Sequence, residues 1–482
     1  MHKQSVLAAA FAAALAAPHF AAAADDKDLA QIREQIRQMK DDYETRIRAL
    51  ERRLEEAEAK SARAAAIPAG AAAAAGVGAP VGTAAVPPPA SAGRTASAGA
   101  NAFNPAISLI LGGTYSRLSQ DPEQYRIQGF LPGGEEAGPG ARSFNLGESE
   151  LTLSANVDNR FSGKLTFALS PDNSVGVEEA FFQAQGLAGG VNAMAGRFLS
   201  GIGYLNGQHA HAWDFVDAPL AYQAFFGGQY KNDGLQLKWL APTDRFLEFG
   251  VEAGRGAEFP GTERNRNGLS SVAAFAHLGD DIGDSASWRV GLSYLRNRAA
   301  GREYEDIDAT GTAVVNAFTG KSATWIADAV FKWAPGGNAT RTSFKLQGEY
   351  FRRRENGTLT YDTQAQSLGT TPGGYASAQS GWYVQGIYQF LPQWRAGLRY
   401  DKLHAGTPGL SAVDDGILAA GDFSRLLSYN PSRSTAMVDY SPSEFSRFRV
   451  QFARDQSRPG VTDNQFFLQY IMSLGVHGAH AF

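Results

Sequence analysis

The stretch around residue 210 carries the side chains best suited to chemistry. His209 and His211 are two residues apart, and Asp214 and Asp217 follow closely. On an extended chain, a spacing of two places both imidazoles on the same side of the backbone. Imidazole nitrogens and carboxylate oxygens are ligands that Zn²⁺ and related divalent ions accept. We therefore treat His209, His211 and Asp214 as a candidate site for transiently bound zinc. The simpler alternative is that hydrogen bonds of these side chains stiffen a loop.

Motifs of known enzyme classes are missing from the sequence. It contains no His-Glu-x-x-His pair, Gly-x-Ser-x-Gly elbow, phosphate loop or dinucleotide fingerprint. Cysteine is absent, which excludes disulfide scaffolds, zinc ribbons, iron–sulfur proteins and thiol enzymes. The net charge of -4 argues against a nucleic-acid partner. We predict a protein that is not an enzyme and holds no resident cofactor.

The elements that position these residues have a period of two. From residue 103 onward apolar and polar residues alternate; in 288–294, for example, Trp, Val, Leu and Tyr alternate with Gly, Arg and Ser. Alternation of this kind predicts β-strands with one apolar face. The strands begin near residues 106, 144, 160, 174, 190, 232, 245, 269, 285, 323, 340, 378, 393, 430, 443 and 462.

Three features favour an all-β, 16-stranded antiparallel transmembrane barrel over a soluble sandwich. Aromatic residues sit at both ends of the apolar faces, as with Trp325 and Trp333. Short turns alternate with long polar loops. The last strand ends in Phe482, which resembles the signal that the barrel-assembly machinery of Gram-negative outer membranes reads. The mean hydropathy of -0.26 fits strands that alternate, whereas helical membrane spans need about 20 apolar residues in a row.

The region before the barrel divides into three parts. Residues 1–24 combine Lys3, a short apolar core and a run of alanines, which is typical of a signal peptide. Residues 25–60 carry apolar residues at steps of three and four among many charges, which predicts a coiled-coil helix. Residues 61–102 are rich in Ala, Gly and Pro and predict a linker. The barrel then occupies residues 103–482.

This order of parts resembles the trimeric outer-membrane porins of the DcaP-like and phosphate-selective groups. In addition, GRFLSGIGYLNGQHAHAWDFVDAPL (196–220) and KWLAPTD (238–244) are similar to outer-membrane proteins labelled zinc-regulated or TonB-dependent receptors. The porin resemblance implies a homotrimer embedded in outer-membrane lipid, with one pore per subunit and a periplasmic coiled coil. A peptidoglycan or periplasmic partner of the coiled coil is a further expectation.

The same resemblance implies where the pore is narrowest. In such porins the third outer loop folds into the lumen, and here that loop is 200–231. The alternation places several late-strand arginines on the lumen side, opposite the loop. The expected pore constriction consists of His209, His211, Asp214, Asp217, Arg395, Arg399, Arg447 and Arg449.

Three functions remain open from the sequence. The first is passive diffusion of small polar solutes, anionic or dipolar, through this constriction. The second is uptake of a divalent metal ion such as zinc through the His-rich loop. The third is a mainly structural role, in which the barrel anchors the coiled coil near the cell wall.

Overall fold

The stretches with a period of two are strands in the structure, a computed structural model that describes residues 106–131, 137–147, 149–170 and 174–475. The predicted signal peptide, coiled coil and linker, and the assembly signal Phe482, lie outside these described residues. The strands are β1 (Ala106–Leu118), β2 (Ser143–Leu146), β3 (Ser149–Asn156), β4 (Phe161–Leu169), β5 (Val175–Ala184), β6 (Val191–Leu199), β7 (Lys231–Leu240), β8 (Phe246–Gly254), β9 (Ser271–Ile282), β10 (Ala286–Ile307), β11 (Ala313–Trp333), β12 (Ser343–Tyr361), β13 (Thr371–Leu391), β14 (Trp394–His404), β15 (Gly409–Leu410), β16 (Ser432–Ser443), β17 (Ser446–Arg458) and β18 (Val461–Gly475).

Helical structure is limited to short segments between strands. The α-helices are α1 (Leu220–Phe226) and α2 (Ser411–Asp414), and the 3₁₀ turns are Pro122–Gln124, Ala188–Gly190, Ala210–Ala212, Pro335–Gly337 and Ala420–Leu426. Within the described ranges, no helix is both long and apolar enough to cross a bilayer.

The strands form one antiparallel sheet that closes on itself. Each long strand pairs with its neighbours in sequence, and β1 joins the two ends by pairing with both β18 and β3. The strands β2 and β15 have four and two residues and only extend the sheet locally. Sixteen strands therefore make up the wall, which confirms the predicted 16-stranded antiparallel barrel.

The two faces of the wall differ in polarity. Along β17, Phe448, Val450 and Phe452 are exposed on the outside by 43%, 44% and 50%. Arg449 and Gln451, between them, point inward and are buried. A barrel with an apolar outer face can be solvated by lipid, while its polar inner face lines a lumen.

Aromatic side chains form rows on the outer face. Trp325 of β11 contacts Tyr294, with ring centroids 4.6 Å apart, and Trp394 of β14 contacts Tyr440 at 4.7 Å. Trp325 and Trp333 are eight residues apart on β11, or about 26 Å along the strand. An outer-membrane barrel carries an apolar band about 25 Å tall between two aromatic girdles. With strands tilted by about 35–45°, the two tryptophans are about 20 Å apart along the membrane normal, which fits within such a band.

Candidate functional site

The segment 200–230, called here the inward loop, connects β6 to β7 and runs through the inside of the barrel. All seven residues of its helix α1 are buried. The backbone N–H of Leu220 donates to Asp401 of β14 at 2.9 Å, and that of Val216 donates to Gln451 of β17 at 2.8 Å. Because β14 and β17 lie across the barrel from β6 and β7, the loop spans the lumen.

Apolar packing holds α1 against the wall formed by β12, β13 and β14. The Phe225 ring stacks on Phe351 of β12, with centroids 5.7 Å apart, and Tyr222 meets the same ring edge-on at 5.1 Å. The guanidinium of Arg353 lies 5.0 Å from the Phe225 centroid. A loop with this many aromatic residues buries area that a solvated loop would leave exposed, so it stays in the lumen.

A buried carboxylate fixes the start of the inward loop. Glu349 of β12 accepts hydrogen bonds from the backbone N–H groups of Tyr204 and Leu205 at 3.1 and 3.0 Å. It also accepts from the hydroxyls of Tyr222 and Tyr383 at 2.9 and 2.6 Å. One inward glutamate thereby joins the loop, α1 and β13.

Asp217 ties the middle of the loop to two late strands. Its carboxylate lies 2.8 Å from Arg399 of β14 and 2.7 Å from Arg433 of β16. Arg399 also donates to the backbone carbonyl of Asp217 at 2.8 Å. Burial alone would raise the pKa of Asp217, but Arg433 and Arg399 outweigh burial and lower it. The carboxylate is therefore ionised at neutral pH, and it anchors the loop.

Asp214 makes a second attachment, nearer the barrel end with the short turns. Its carboxylate pairs with Lys345 and with Arg395, the latter at 3.3 Å, and Gln385 donates to it at 3.2 Å. Burial opposes ionisation, yet the attraction of Lys345 and Arg395 brings the pKa of Asp214 well below its usual range. Arg395 is shared with Asp439 at 2.5 Å.

Two arginines of β17 hold the loop through its backbone. Arg449 donates to the carbonyl of Trp213 at 2.9 Å and pairs with Asp439 at 2.7 Å. Arg447 donates to the carbonyl of His211. The structure thus places Arg395, Arg399 and Arg447 in contact with Asp214, Asp217 and His211, and Arg449 in contact with Trp213, which was not among the predicted constriction residues. Carboxylates and arginines touch here instead of facing one another across open space.

His209 and His211 lie on the other side of the loop, against the early strands. Glu150 of β3 contacts His209 Nδ1 at 3.2 Å and His211 Nδ1 at 2.6 Å. Their rings are stacked with centroids 5.6 Å apart. Asp214 does not join them, because Lys345 and Arg395 hold it on the far wall. Glu150 occupies the place that the sequence assigned to Asp214.

Two further carboxylates complete this group. Glu178 lies 3.0 Å from His209 Nδ1, Glu179 lies 2.9 Å from His209 Nε2, and Lys164 pairs with Glu179 at 2.6 Å. Burial by itself would lower the pKa of His209, but the hydrogen bonds to Glu150, Glu178 and Glu179 raise it well above its ordinary value. The imidazole is therefore cationic at neutral pH when only protons are available.

A β-bulge explains how two neighbouring glutamates both reach the lumen. Thr166 of β4 pairs with Glu179, whereas the next residue, Phe167, pairs with Val177, so Glu178 is the extra residue. A bulge interrupts the alternation of faces and redirects a side chain. Glu178 and Glu179 are accordingly 7% and 6% exposed, both on the inner side.

Two cavities flank the inward loop. A cavity of about 1100 Å³ opens toward the short turns, and one of about 360 Å³ opens toward the long loops. His211 lines both, so its side chain lies between the two cavities. The larger cavity is also lined by Glu150, Lys164, His209, Asp214, Lys332, Lys345, Arg395 and Arg447.

Comparison with known proteins identifies a relative. No family model matches the chain. A protein of Aquifex aeolicus (strain VF5), described as an uncharacterized protein, is 30% identical over 406 residues, covering 79% of this chain and 80% of that one. The chain belongs to the same family as this Aquifex protein. The identity extends over most of both chains, so the Aquifex relative shares the barrel and not only a local motif.

Several solved structures have a similar fold at low sequence identity. OmpT of Vibrio cholerae in its trimer form is 12% identical with a TM-score of 0.47, covering 77% of this chain and 99% of that one. The outer membrane channel DcaP of Acinetobacter baumannii is 14% identical with a TM-score of 0.44, covering 77% and 97%. An anion-selective porin from Comamonas acidovorans is 10% identical with a TM-score of 0.45, covering 77% and 99%. TM-scores below 0.5 at such low sequence identity support no conclusion about the function of this chain.

The location follows from the barrel itself. A closed antiparallel barrel with an apolar outer band, aromatic rows and a polar lumen is the architecture of the Gram-negative outer membrane. The chain is an outer-membrane protein, as predicted.

Four interior residues went unnoticed in the sequence. Glu349 and Lys345 alternate with apolar residues on one strand, which is the pattern that marks an inward charge. Arg433 of β16 lies between Ser432 and Ser434, so no apolar neighbour marks it as inward. Glu178 is different, because only the bulge brings it inward, and the break in alternation at Glu178 and Glu179 does not by itself tell which face each takes.

Proposed function

We propose that the protein is a passive diffusion channel for small polar solutes, with a preference for anionic or dipolar ones. The observation that carries this proposal is the pair of cavities on either side of His211, one open to each end of the barrel. The inward loop reduces the lumen to a narrow passage and leaves its lining charged. A narrow polar passage admits small solutes that can exchange water for polar wall groups.

The charges around the larger cavity support selection by dipole and sign. Lys332, Lys345, Arg395 and Arg447 line one side, on β11, β12, β14 and β17. Glu150 lies on β3, on the side of the early strands. Opposed charges in a low-dielectric wall produce a transverse field that orients dipolar solutes. Guanidinium groups also accept planar carboxylates and phosphate.

The four predicted arginines divide into two roles under this proposal. Arg395 and Arg447 line the larger cavity, so a solute can reach them. Within the described residues, Arg399 and Arg449 are absent from the lining of both cavities and contact the loop. We assign selectivity to the first pair, which also contacts the loop, and loop anchoring alone to the second.

The assembly that we propose is a homotrimer with one channel per subunit. The heptad pattern of residues 25–60 supports it, because a single amphipathic helix of that length is marginal in water and gains stability by meeting copies of itself. Light scattering of the detergent-purified protein tests this. A mass of one chain would contradict it.

Reversal potentials in a planar bilayer test the channel. Under a salt gradient, the purified protein should open in equal conductance steps and show a potential whose sign indicates that anions pass more readily than cations. A protein that folds and inserts but conducts no ions would overturn the proposal. Passage of a divalent cation such as zinc is the second candidate, and the convergence of Glu150, His209 and His211 favours it.

A further inference from the structure

The region between the two cavities is surrounded by metal-ligating side chains from three parts of the chain. His209 and His211 come from the inward loop, Glu150 from β3 and Glu178 from β5. One ligand atom from each of Glu150, His209 and His211 lies within 4.8 Å of the others. Glu150 is almost fully buried, and the two imidazoles are 15% and 11% exposed. Side chains from separate elements are thus fixed around one point beside the cavity.

The separations suit a small tetrahedral ion. With zinc bonds of about 2.0–2.1 Å, two ligand atoms in a tetrahedron lie about 3.3–3.4 Å apart. His209 Nδ1 is 3.2 Å from Glu150 and 3.0 Å from Glu178, and His211 Nδ1 is 2.6 Å from the other oxygen of Glu150. Small movements of Glu150 bring the three converging groups to coordination distance, and Glu178, which contacts His209 Nδ1, needs a larger movement to join them. The donor set of two imidazoles and two carboxylates is one that zinc accepts.

The outer contacts of His209 match those of a metal-bound imidazole. When Nδ1 binds a cation, Nε2 carries the proton and needs an acceptor. Glu179 provides that acceptor at 2.9 Å. Lys164 pairs with Glu179 at 2.6 Å and also lies 3.0 Å from Nε2, a contact that opens when Nε2 carries the proton. This carboxylate–histidine pair fixes the ring orientation, which raises the affinity of a histidine for its metal.

The local charge also favours a cation. Glu150, Glu178 and Glu179 bring three negative charges, and Lys164 brings one positive charge. With the imidazole of His209 neutral, as it is when it binds a metal, two negative charges remain around the imidazoles. Buried carboxylates need compensation, and a divalent ion supplies two charges at the centre of the group.

We propose that Glu150, His209 and His211, with Glu178 as fourth ligand, bind a divalent cation of the Zn²⁺ class. This inference rests on the proposed channel for its consequence: because His211 lines both cavities, the bound ion lies in the passage between them and reduces ion flow. The binding itself does not require the protein to conduct.

Calorimetric titration of the detergent-purified trimer or monomer with ZnCl₂ tests the binding. We expect one Zn²⁺ per chain, and no comparable binding of Mg²⁺, which prefers oxygen ligands. Glu150→Gln and His211→Gln should each weaken binding by at least about 100-fold, and Glu179→Gln by about 10–100-fold. His404→Gln, an exposed histidine on β14, is the matched control and should bind like the unaltered chain.

Ion flux through the same proteins in liposomes separates the two proposals. Zinc-sensitive flux that His211→Gln makes insensitive supports both. Stoichiometric binding in a protein that does not conduct upholds the metal site and overturns the channel. Conduction without zinc binding, or binding that every variant retains, overturns the metal site and leaves the cluster as a hydrogen-bonded attachment of the loop.

Discussion

Replacing Arg447 by Gln removes one positive charge from the lining of the larger cavity and keeps a polar, hydrogen-bonding side chain. A cavity of about 1100 Å³ has the volume of a sphere about 6 Å in radius, so an ion near its centre lies about 6 Å from the lining charges. At that distance a unit charge contributes about 0.7 kcal/mol in water. Screening at 0.1 M salt, with a Debye length of about 10 Å, reduces this to about 0.4 kcal/mol.

The effect has opposite signs for the two ions, so the anion-to-cation permeability ratio changes by about 0.8 kcal/mol. We therefore expect Arg447→Gln to lower this ratio about fourfold. The assay is the reversal potential of single channels under a KCl gradient. The shift should shrink in 1 M salt, where the Debye length is about 3 Å.

Arg454→Gln is the matched control for this experiment. Arg454 lies on the same strand, β17, but on the exposed outer face, so its removal should leave the permeability ratio unchanged. Equal shifts in both variants would mean that the general surface charge sets selectivity. An unchanged ratio in Arg447→Gln would refute the assignment of Arg447 to the solute path.

Three further predictions concern the attachment of the inward loop. Asp217→Asn removes one partner of the buried pairs with Arg399 and Arg433, which should cost about 3–5 kcal/mol of stability. The amide hydrogens of α1 should therefore exchange faster with solvent. The control Asp415→Asn changes an exposed residue and should leave the exchange rates of α1 unchanged. Gly203→Ala should raise single-channel conductance and lower the melting temperature, because Gly203 has φ 67 and an added Cβ would lie 2.4 Å from Glu349 Oε2; a variant identical to the unaltered chain in both would contradict this. Asp214 and Asp217 have lowered pKa values, so their contribution to stability is present above the ordinary carboxyl pKa of about 3.9 and is lost only as pH falls through the lowered values. The amide hydrogens of α1 should therefore stay protected from exchange between pH 7 and pH 4. Loss of that protection near pH 5 would show that these carboxylates do not anchor the loop.

The alternation of apolar and polar residues was enough to predict the strands of the barrel wall. It did not predict which side chains pair inside the barrel. The period of two fixes which residues of β14 and β17 face inward, because a change of register by one residue would expose the apolar set to the lumen. Arg395 and Arg447 could therefore be placed on the inner face from the sequence. Their partners could not, because the register between β14 and β16 places Asp439 opposite Arg395, and the path of the inward loop brings Asp214 to it from 181 residues away.

The proposed metal ligands also show that side chains distant in sequence are hard to pair from the sequence alone. His209 and His211 were recognised by their spacing, which is a local property. Glu150 is about 60 residues earlier in the chain, and Glu178 reaches the site only through a bulge. Asp214 was the nearest carboxylate in sequence, and the path of the loop carries it to the opposite wall. Proximity along the chain is a poor guide wherever a loop crosses a lumen.

The exposure of the interior charges explains how one barrel can keep its loop in place and still select solutes. The side chains of Arg399, Arg433 and Arg449 are 1% exposed, and each is paired with a carboxylate. Breaking such a pair costs several kcal/mol, because the remaining charge is left buried. Arg395 and Lys345, by contrast, are 27% and 23% exposed to the cavity. Pairs that water reaches contribute less to stability, so changing Arg395 or Lys345 should weaken the attachment of the loop less than changing Arg399, Arg433 or Arg449.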